Sequence, residues 1–596
     1  MEYSILDELL PYNDWRPGQR ELAKIVEETV LDSKILLARY PIGLGKTIAV
    51  LVGAIASGIP KIIYLARTKN QFQAPFRELA RLAASKINIP AVMLVNKKEL
   101  CLLPISDDMS YRDFLVFCSK ARKSGQCRYR SNALPEKSPL LVDVNTAKLL
   151  GKKLLACPFE ISWKLISRSR VIVASYSYLF DPDLFKVFLS KSNIKLEEAL
   201  LVVDEAHNLP SYIASISQTT LDEYTLIMSR KEIQTLKTPK TNSVLNRISM
   251  FITYIRKKSK QSNETEKEID ISEALSILPS SKDLYYIASL LEENNILETS
   301  YTRKVADFVS MLEKASHDHL LSLRDTSLGF EVNLIAYNVS RIAQSVFSKI
   351  RSAVLMSATL PPKEYMVALL GLTNRAIDEV VYPYLWAENA SINIVRGLTS
   401  RYVEREKMTF KKYAQFIDYI FSKNGNTLTV FPSYSFLKNV YAHISSTPTI
   451  VEDQHTVLKN VINILLKNEK TLILAVAWGK LVEGIEFRNR GKSLLDTIII
   501  AGLPVPEPSL YNKKLLNYLT LKLGNRDKAW KIVYLYPGLM KIVQAIGRGI
   551  RSEKDKIKVY ILDDRVLSEG VDYLLSYGFR INIVELDKIF GFDKEQ

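Results

Sequence analysis

The sequence has no long apolar run. Stretches such as residues 497–505 fall well short of the roughly 18 to 20 residues that a membrane-spanning helix needs. The first residues, MEYSILDELLPYND, also lack the positively charged segment with which a secretory signal begins. These two absences argue against a membrane protein and a secreted protein, so we expect a cytoplasmic one.

Cysteine is scarce and confined to one region. The 596 residues include four cysteines, Cys101, Cys118, Cys127 and Cys157, which fall within 57 residues of one another. In a cytosolic protein such a cluster indicates metal binding more often than disulfides. The gaps of 16, 8 and 29 residues contain no closely spaced pair of the kind that zinc sites usually show. Four irregularly spaced thiolates can hold a [4Fe–4S] cluster. From the residues alone, three alternatives remain for the cysteines: they ligate a [4Fe–4S] cluster, they ligate zinc, or they are unligated buried thiols.

Acidic residues are too few to balance the basic ones. Lysine and arginine number 81 and aspartate and glutamate 64, which gives a net charge of +17. This surplus favours an anionic partner, either nucleic acid or a membrane surface. Hydrophobic residues make up 47% and charged residues 24%, which excludes a disordered or fibrous chain. At roughly 150 residues per domain, the length allows about four domains.

Short apolar runs alternate with helical patterns at both ends of the chain. The predicted strands cover residues 34–38, 61–65, 171–174, 200–203, 427–431, 472–476, 497–501 and 558–562. This alternation predicts parallel α/β sheets with functional residues at the carboxyl ends of the strands. Residues 212–342 interrupt it with a leucine-rich, helical pattern, in which the charged run 256–269 predicts a solvated loop.

The first chemical motif is YPIGLGKT at residues 40–47, between a predicted strand and a predicted helix. Gly43 and Gly45 allow backbone N–H groups to face phosphate oxygens. Lys46 would reach the β- and γ-phosphates of a nucleotide, and Thr47 would ligate Mg²⁺. The helix N-terminus adds its positive dipole end. The strand–loop–helix context favours a phosphate loop over a chance match, so we expect ATP and Mg²⁺ as cofactors.

Two further motifs supply a pair of carboxylates and a pair of guanidinium groups. DEAH at residues 204–207 follows a buried strand; Asp204 would hold Mg²⁺ through its water shell, and Glu205 would orient or deprotonate the attacking water. QAIGRGIR at residues 544–551 places Arg548 and Arg551 on one face of a helix, where guanidinium groups suit a transferring phosphoryl group. Without a catalytic role, the DEAH stretch would be the capped start of a helix, and the QAIGRGIR stretch would be a basic surface helix.

These three motifs, in this order, resemble those of superfamily-two helicases, and in detail those of the XPD-like iron–sulfur helicases, whose cousins are the DinG-like helicases. Further stretches resemble the family's adenine-reading motif (RPGQ, 16–19) and its motifs Ia (YLART, 64–68), III (SATL, 357–360), IV (FPSY, 431–434) and V (GK, 479–480, with EGIEF, 483–487). The resemblance spans about residues 15 to 565. The chain departs from the family pattern at Tyr40, Ile42, Ala358 and Glu486. Aspartate is usual at the position of Glu486.

The resemblance implies an α/β fold with two RecA-like motor domains. An iron–sulfur domain and a helical arch would be inserted in the first. We expect motor domain 1 at residues 1–95, 161–212 and 343–380, the four-cysteine domain at 96–160, the arch at 213–342, and motor domain 2 at 381–596. ATP would bind in the cleft between the motor domains, and the two insertions would split the duplex.

The resemblance also implies a role for individual residues. Nucleotide binding is expected of Arg16, Gln19, Gly43, Gly45, Lys46, Thr47, Asp204 and Glu486. Catalysis is expected of Lys46, Glu205, Gln544, Arg548 and Arg551. The four cysteines would ligate a [4Fe–4S] cluster, with Cys157-Pro-Phe as the family's fourth ligand, and Thr47 and Asp204 would serve magnesium.

Binding of single-stranded DNA is predicted for the cysteine region. Between Cys101 and Cys157 there are ten Lys/Arg and five Asp/Glu. The basic cluster Lys120, Arg122, Lys123, Arg128 and Arg130 interleaves with Phe114, Phe117 and Tyr129. Basic groups can follow phosphates while aromatic rings stack on bases; the alternative is that the rings pack around the cluster. The resemblance adds Arg67, Thr68 and Tyr434 as residues that grip the strand.

The expected function is that of a 5′→3′ DNA helicase. It would hydrolyse ATP, move along single-stranded DNA and unwind forked DNA in repair, as a monomer with repair proteins as partners and, by its lysine- and isoleucine-rich composition, from an archaeon. Two alternatives are a structural scaffold of a repair complex with weak ATPase activity, and a translocase that remodels protein–DNA complexes without unwinding.

Overall fold

The computed structural model describes residues 5–41, 43–131, 133–236, 239–261, 264–293, 300–447, 450–453, 455–468, 470–484, 487–550 and 552–589. No described helix is both long and apolar enough to span a bilayer.

Residues 5–216, which include the cysteine region between the first two parts of motor domain 1, alternate strands and helices, and the apolar patterning predicts four of their six strands. The strands are β1 (Ile35–Arg39), β2 (Lys61–Ala66), β3 (Ala91–Leu94), β4 (Leu141–Val142), β5 (Val171–Ser175) and β6 (Ala199–Asp204). The helices are α1 (Ile5–Glu8), α2 (Gln19–Leu31), α3 (Lys46–Ala56), α4 (Lys69–Ala84), α5 (Lys97–Leu100), α6 (Tyr111–Lys123), α7 (Val144–Leu154), α8 (Pro158–Leu165), α9 (Ser177–Phe180), α10 (Pro182–Ser192) and α11 (Leu209–Ile216).

The long insertion combines helices with a small sheet. Its strands are β7 (Thr219–Asp222), β8 (Glu266–Glu268), β9 (His319–Thr326) and β10 (Gly329–Ala336), and its helices are α12 (Glu223–Gln234), α13 (Pro239–Ser259), α14 (Ile271–Ile277), α15 (Ser281–Glu293) and α16 (Tyr301–Glu313). The strands form an antiparallel sheet in the order β7-β10-β9-β8 over a hydrophobic core of their own. The helical pattern therefore predicts the helices of this insertion but not its antiparallel sheet. The charged run 256–269 is also not simply a loop, because it ends α13 and contains β8.

The chain then returns to motor domain 1 through α17 (Ser340–Phe347), β11 (Ser352–Ser357), α18 (Lys363–Leu370) and β12 (Ile377–Val381). The resulting sheet has eight parallel strands in the order β12-β1-β11-β6-β2-β5-β3-β4. Its central strands β1, β6 and β11 are fully buried, which is why they appear in the sequence as continuous apolar runs. All three end at the edge where the predicted catalytic residues lie.

Motor domain 2 is built on a seven-stranded parallel sheet. Its strands, with a β-hairpin formed by β17 and β18, are β13 (Ala390–Arg396), β14 (Thr427–Phe431), β15 (Ile450–Val451), β16 (Leu472–Val476), β17 (Arg488–Asn489), β18 (Lys492–Ser493), β19 (Thr497–Ile500), β20 (Ile557–Ile561) and β21 (Arg580–Glu585). Its helices are α19 (Lys407–Lys423), α20 (Tyr434–Tyr441), α21 (Leu458–Lys467), α22 (Lys480–Gly484), α23 (Leu510–Leu523), α24 (Arg526–Trp530), α25 (Tyr536–Gly549), α26 (Glu569–Leu575) and α27 (Leu586–Ile589). The strand order is β15-β16-β14-β19-β20-β13-β21.

The insertion contacts motor domain 2 as well as the domain that carries it. The backbone N–H of Leu510 donates a hydrogen bond to Glu266 Oε2 at 3.1 Å. Lys514 Nζ lies 2.7 Å from Glu268 Oε2. Helix α23 of motor domain 2 therefore rests against the edge strand β8 of the insertion.

Candidate functional site

The phosphate loop joins β1 to α3. Gly43 and Gly45 have φ angles of 93° and 75°, a left-handed backbone that glycine adopts without steric cost. Lys46 Nζ donates hydrogen bonds to the carbonyl oxygens of Tyr40 and Pro41 at 2.9 and 3.3 Å. The loop thus curves around the ammonium group that the sequence assigns to phosphate binding.

The two residues predicted to read adenine lie against this loop. Arg16 Nη1 donates to the carbonyl oxygen of Gly43 at 2.5 Å, and Gln19 Nε2 donates to that of Gly45 at 3.1 Å. Gln19 Oε1 also accepts a hydrogen bond from the backbone N–H of Arg16 at 3.0 Å. The structure therefore brings Arg16 and Gln19 to the phosphate loop from a separate part of the chain.

The paired carboxylates Asp204 and Glu205 end strand β6. Burial and the neighbouring charge of Glu205 together raise the pKa of Asp204 to about 6, although Lys46 opposes the shift. Burial also acts to raise the pKa of Glu205, but His207 and Lys46 outweigh it and hold that pKa below its ordinary value. Tyr64 Oη donates to Asp204 Oδ2 at 3.2 Å. The sequence places Tyr64 in the stretch that resembles motif Ia but assigns its side chain no role, because a buried tyrosine in a strand gives no functional signal of its own.

A chain of hydrogen bonds crosses from motor domain 2 to Glu205. Gln544 Nε2 lies 3.3 Å from His207 Nε2, His207 Nδ1 lies 2.7 Å from Ser357 Oγ, and Ser357 Oγ donates to Glu205 Oε2 at 2.8 Å. In the tautomer with its proton on Nδ1, His207 donates to Ser357 Oγ and accepts from Gln544 on Nε2, so that every link has one donor and one acceptor. Gln544 Nε2 also reaches Thr359 Oγ1 at 3.4 Å. The chain links the candidate catalytic carboxylate to the second motor domain.

Helix α25 brings Gln544 and Arg548 to the cleft between the motor domains. This cleft has a volume of about 480 Å³, and Glu205, Gln544, Arg548 and Arg67 line it. Arg548 Nε donates to the carbonyl oxygen of Val482 at 2.6 Å. The other predicted arginine, Arg551, and the predicted ribose contact, Glu486, lie outside the described residues.

Ser357→Ala should lower kcat for ATP hydrolysis by about tenfold or more. The substitution removes the hydroxyl that holds Glu205, and a hydrogen bond to a charged group contributes about 1.5–3 kcal/mol. Steady-state ATPase kinetics measure the effect. Ser352→Ala is the matched control, because Ser352 is buried on the same strand and its Oγ has no described partner. Equal activities of the two variants would contradict a role for the hydrogen-bond chain.

The residues predicted to grip DNA lie near the carboxyl ends of strands in both motor domains. Arg67 and Thr68 follow β2, and their backbone N–H groups both donate to Gln71 Oε1 at 2.9 Å, which fixes the start of α4. Tyr434 begins α20 after β14 and is 47% exposed. The structure leaves these side chains on the surface and does not bring Tyr434 to the cleft lining that includes Arg67.

The same edge of motor domain 2 carries residues that sequence reasoning missed. Tyr402 is 84% exposed, and the guanidinium of Arg405 lies between its ring and that of Phe436, at 5.5 and 5.2 Å. Arg565 pairs with the buried carboxylate of Asp563 at 2.7 Å. The signal was present, since RYVER at residues 401–405 combines exposed aromatic and basic side chains, the composition that suits single-stranded nucleic acid.

The four cysteines surround one cavity. All four are half-buried free thiols that line it. Burial raises the pKa of the Cys101 thiol, and the three other cysteines raise it further. Burial also raises the pKa of Cys157, opposed by backbone N–H groups of Glu160 and Phe159 at the start of α8. Among the described residues, no three His, Cys, Asp or Glu side chains are grouped to hold a single metal ion.

Two of the three aromatic residues that were predicted to stack on bases, Phe114 and Tyr129, are buried. Phe114 is fully buried, Tyr129 is 6% exposed, and both line the cysteine cavity with Phe117. Packing around the cysteines, the alternative to base stacking, therefore describes Phe114 and Tyr129, while stacking stays a prediction for the half-buried Phe117. Of the basic cluster, Arg122, Lys123, Arg128 and Arg130 are exposed. Lys120 instead donates to the carbonyl oxygen of Glu292 in the insertion at 2.8 Å.

Comparison with known proteins identifies relatives over most of the chain. The family model DEAD_2 matches residues 64–226, and the model for a helicase C-terminal domain matches residues 416–580. The chain is 28% identical to the ATP-dependent DNA helicase XPD of Sulfolobus acidocaldarius, over 94% of this chain and 96% of the relative. It is 21% identical to the ATP-dependent DNA helicase CHL1 of Candida glabrata, over 93% and 76%.

A solved structure agrees with these relatives. The chain superimposes on a structure titled XPD helicase with a TM-score of 0.69 and 26% identity, covering 96% of this chain and all of that one. The two parallel sheets, the phosphate loop, and Glu205 facing Gln544 across the cleft agree with that likeness. The chain is therefore similar to XPD helicases in sequence and in fold over nearly its whole length, and it matches the DEAD_2 and helicase C-terminal domain models.

Proposed function

We propose that this protein is an ATP-dependent DNA helicase that moves 5′→3′ along single-stranded DNA and unwinds duplexes. One observation carries the proposal: Glu205 and His207 of motor domain 1 meet Gln544 and Arg548 of motor domain 2 across one cleft. When a nucleotide is bound between two domains, its hydrolysis changes the distance between them. Hydrolysis in this cleft can therefore move one motor domain relative to the other.

The residues of the phosphate loop fit ATP with Mg²⁺. Thr47 and Asp204 would hold the metal, since the Thr47 hydroxyl and Asp204 both lie within hydrogen-bonding reach of Tyr64 Oη. Mg²⁺ supplies neutralisation of the phosphate charge. Lys46 would exchange its bonds to loop carbonyls for the β- and γ-phosphates. Glu205, held by Ser357, would orient the attacking water, and Arg548 would face the charge that develops on the phosphoryl group.

DNA-stimulated ATP hydrolysis tests this proposal against its rivals. We expect single-stranded DNA to raise kcat, because strand binding across both motor domains favours the closed cleft. A scaffold with weak ATPase activity would show no stimulation, and this result would overturn the proposal. A translocase that only remodels protein–DNA complexes would show stimulation without unwinding of forked DNA.

The cysteine cavity fits an iron–sulfur cluster better than zinc. Structural zinc sites usually contain cysteine pairs two to four residues apart, whereas these four cysteines are separated by 16, 8 and 29 residues. A [4Fe–4S] cluster places four irons between its ligands and accommodates wider spacing. The N–H groups at the start of α8 favour a thiolate at Cys157. Cys101, Cys118, Cys127 and Cys157 would ligate the cluster.

The cysteine domain and the insertion would together form the wedge that splits the duplex. Helix α6 touches the insertion at two points: Lys120 binds the carbonyl of Glu292, and Arg112 Nη2 lies 3.0 Å from Asp307 Oδ2. These contacts would brace the cysteine domain against the insertion, the family's arch. We propose forked DNA as the substrate, repair as the setting, repair proteins as partners, and a monomer as the working unit.

Affinity for single-stranded DNA should fall steeply as salt rises. Bound lysines and arginines release counterions from the strand, which lowers log K by about 0.7 for each phosphate neutralised per tenfold rise in salt. Sequence preference should be slight, since phosphate contacts tolerate any base. Fluorescence anisotropy across a salt series measures the slope. A flat response would contradict a basic binding surface.

A further inference from the structure

The amino edge of the motor domain 2 sheet carries a row of lysines that the proposed mechanism does not use. We call the side chains Lys423, Lys470, Lys492, Lys554, Lys556 and Lys558 the lysine ridge. All are exposed except the half-buried Lys470. Lys423, Lys556 and Lys558 line a groove of about 730 Å³ together with two carboxylates, Glu388 and Asp496.

Sheet topology aligns these lysines. Strands β16, β14, β19 and β20 are consecutive neighbours, and the register pairs Thr427 with both Leu472 and Thr497, and Thr497 with Lys558. The four strands therefore begin side by side. Lys470 precedes β16, Lys423 precedes β14, Lys492 precedes β19, and Lys556 and Lys558 lie at the start of β20. Neighbouring strands lie about 4.8 Å apart, so the ridge extends over about 14 Å.

Local contacts hold the ridge in place without joining its ammonium groups to carboxylates in close ion pairs. Asp555 pairs with Arg488 at 3.1 Å and accepts from the N–H of Ser493 at 2.9 Å, which anchors the β17–β18 hairpin that bears Lys492. Within the described part of the chain, no ridge lysine lies within ion-pairing distance of a carboxylate; other lysines, such as Lys34 with Asp32, do pair.

The chemistry of the ridge favours a phosphate backbone over a protein partner. Protein interfaces are depleted in lysine and enriched in arginine and aromatic residues, and the three basic residues that line the groove are all lysine. The nearby rings of Tyr419 and Phe421 are covered by Lys423 and Lys470, at 4.1 and 4.6 Å from the ring centroids, so they are not free to stack on bases. Point charges without stacking rings suit sequence-independent contact with phosphates.

We propose that the lysine ridge is a second DNA contact, which holds the phosphate backbone of DNA outside the motor cleft. The ridge lies at the amino ends of the strands, whereas Tyr434 and Tyr402 lie near the carboxyl ends, so the two contacts occupy opposite edges of the sheet. This inference rests on the proposed function only in taking DNA as the partner.

The test compares the salt dependence of forked-DNA binding for the full-length protein and three triple variants. Replacing Lys423, Lys556 and Lys558 by alanine should reduce the slope of log K against log salt by about 2, at about 0.7 per lysine. Replacing them by arginine should preserve the slope, since the charge remains. The control replaces Lys24, Lys195 and Lys349, three exposed lysines of motor domain 1, by alanine and should also preserve it.

ATP hydrolysis at saturating DNA separates this inference from the proposed function. The ridge variant should keep the wild-type kcat, because none of its three residues lies in the nucleotide cleft. An unchanged slope in the ridge variant, or an equal loss in the control, would overturn the ridge as a DNA contact while leaving the helicase function intact. Tight binding of polyglutamate that the alanine variant loses, with no change in the DNA slope, would instead identify an acidic protein as the partner and also overturn the proposal.

Discussion

Lys46→Ala should lower DNA-stimulated ATP hydrolysis by on the order of 10²-fold or more. The substitution removes the main cation expected at the β- and γ-phosphates, and the loss of one preorganised charge-stabilising group has an effect of this size on kcat. Lys46 is also held within its loop by the carbonyls of Tyr40 and Pro41. Steady-state ATPase assays with saturating single-stranded DNA measure the change.

The matched control for this variant is Lys24→Ala, which removes an exposed lysine from the neighbouring helix α2. It should hydrolyse ATP at the wild-type rate, and both variants should bind DNA normally without nucleotide. Activity of Lys46→Ala within threefold of wild type would refute the assignment of this loop to phosphate binding.

Cys118→Ser should abolish duplex unwinding while single-stranded DNA still stimulates ATP hydrolysis. A serine hydroxyl stays protonated at neutral pH and is a harder ligand than thiolate, so the cluster should be destabilised. Cys118 lies on α6, away from the residues that line the nucleotide cleft, so the motor domains should remain folded. The wild type should be yellow-brown with about four irons per chain, and the variant paler. Strand-displacement assays and iron analysis give the two measurements.

Ser119→Ala is the control for this variant, since Ser119 is an exposed neighbour on the same helix. It should retain both iron and unwinding. Stoichiometric zinc in place of iron in the wild type, or normal unwinding of forked DNA by Cys118→Ser, would disprove the wedge.

The strands of the motor domains could be predicted from the sequence, because their burial is visible in the pattern of apolar residues. The predicted strands at 427–431 and 472–476 coincide with β14 and β16, since a strand buried on both faces is a continuous apolar run. The places of the phosphate loop and the DEAH motif at strand ends could be predicted because each follows an apolar run, and their roles in phosphate and metal binding stay predictions.

The surroundings of the core could not be predicted, since they depend on contacts between distant segments. Strand β8 has the sequence Glu-Lys-Glu and forms only by pairing with β9. The burial of Phe114 depends on the cavity that the four thiols define. The hydrogen bond between His207 and Gln544 joins residues 337 positions apart, and no local sequence pattern predicts it.

Strand displacement on two partial duplexes that differ only in the polarity of the single-stranded tail tests the central claim most directly. With ATP, the wild-type protein should separate the duplex that carries a 5′ tail and leave the duplex with a 3′ tail intact, and Lys46→Ala should separate neither. Failure to unwind either substrate despite DNA-stimulated ATP hydrolysis, or unwinding from the 3′ tail alone, would contradict a 5′→3′ helicase.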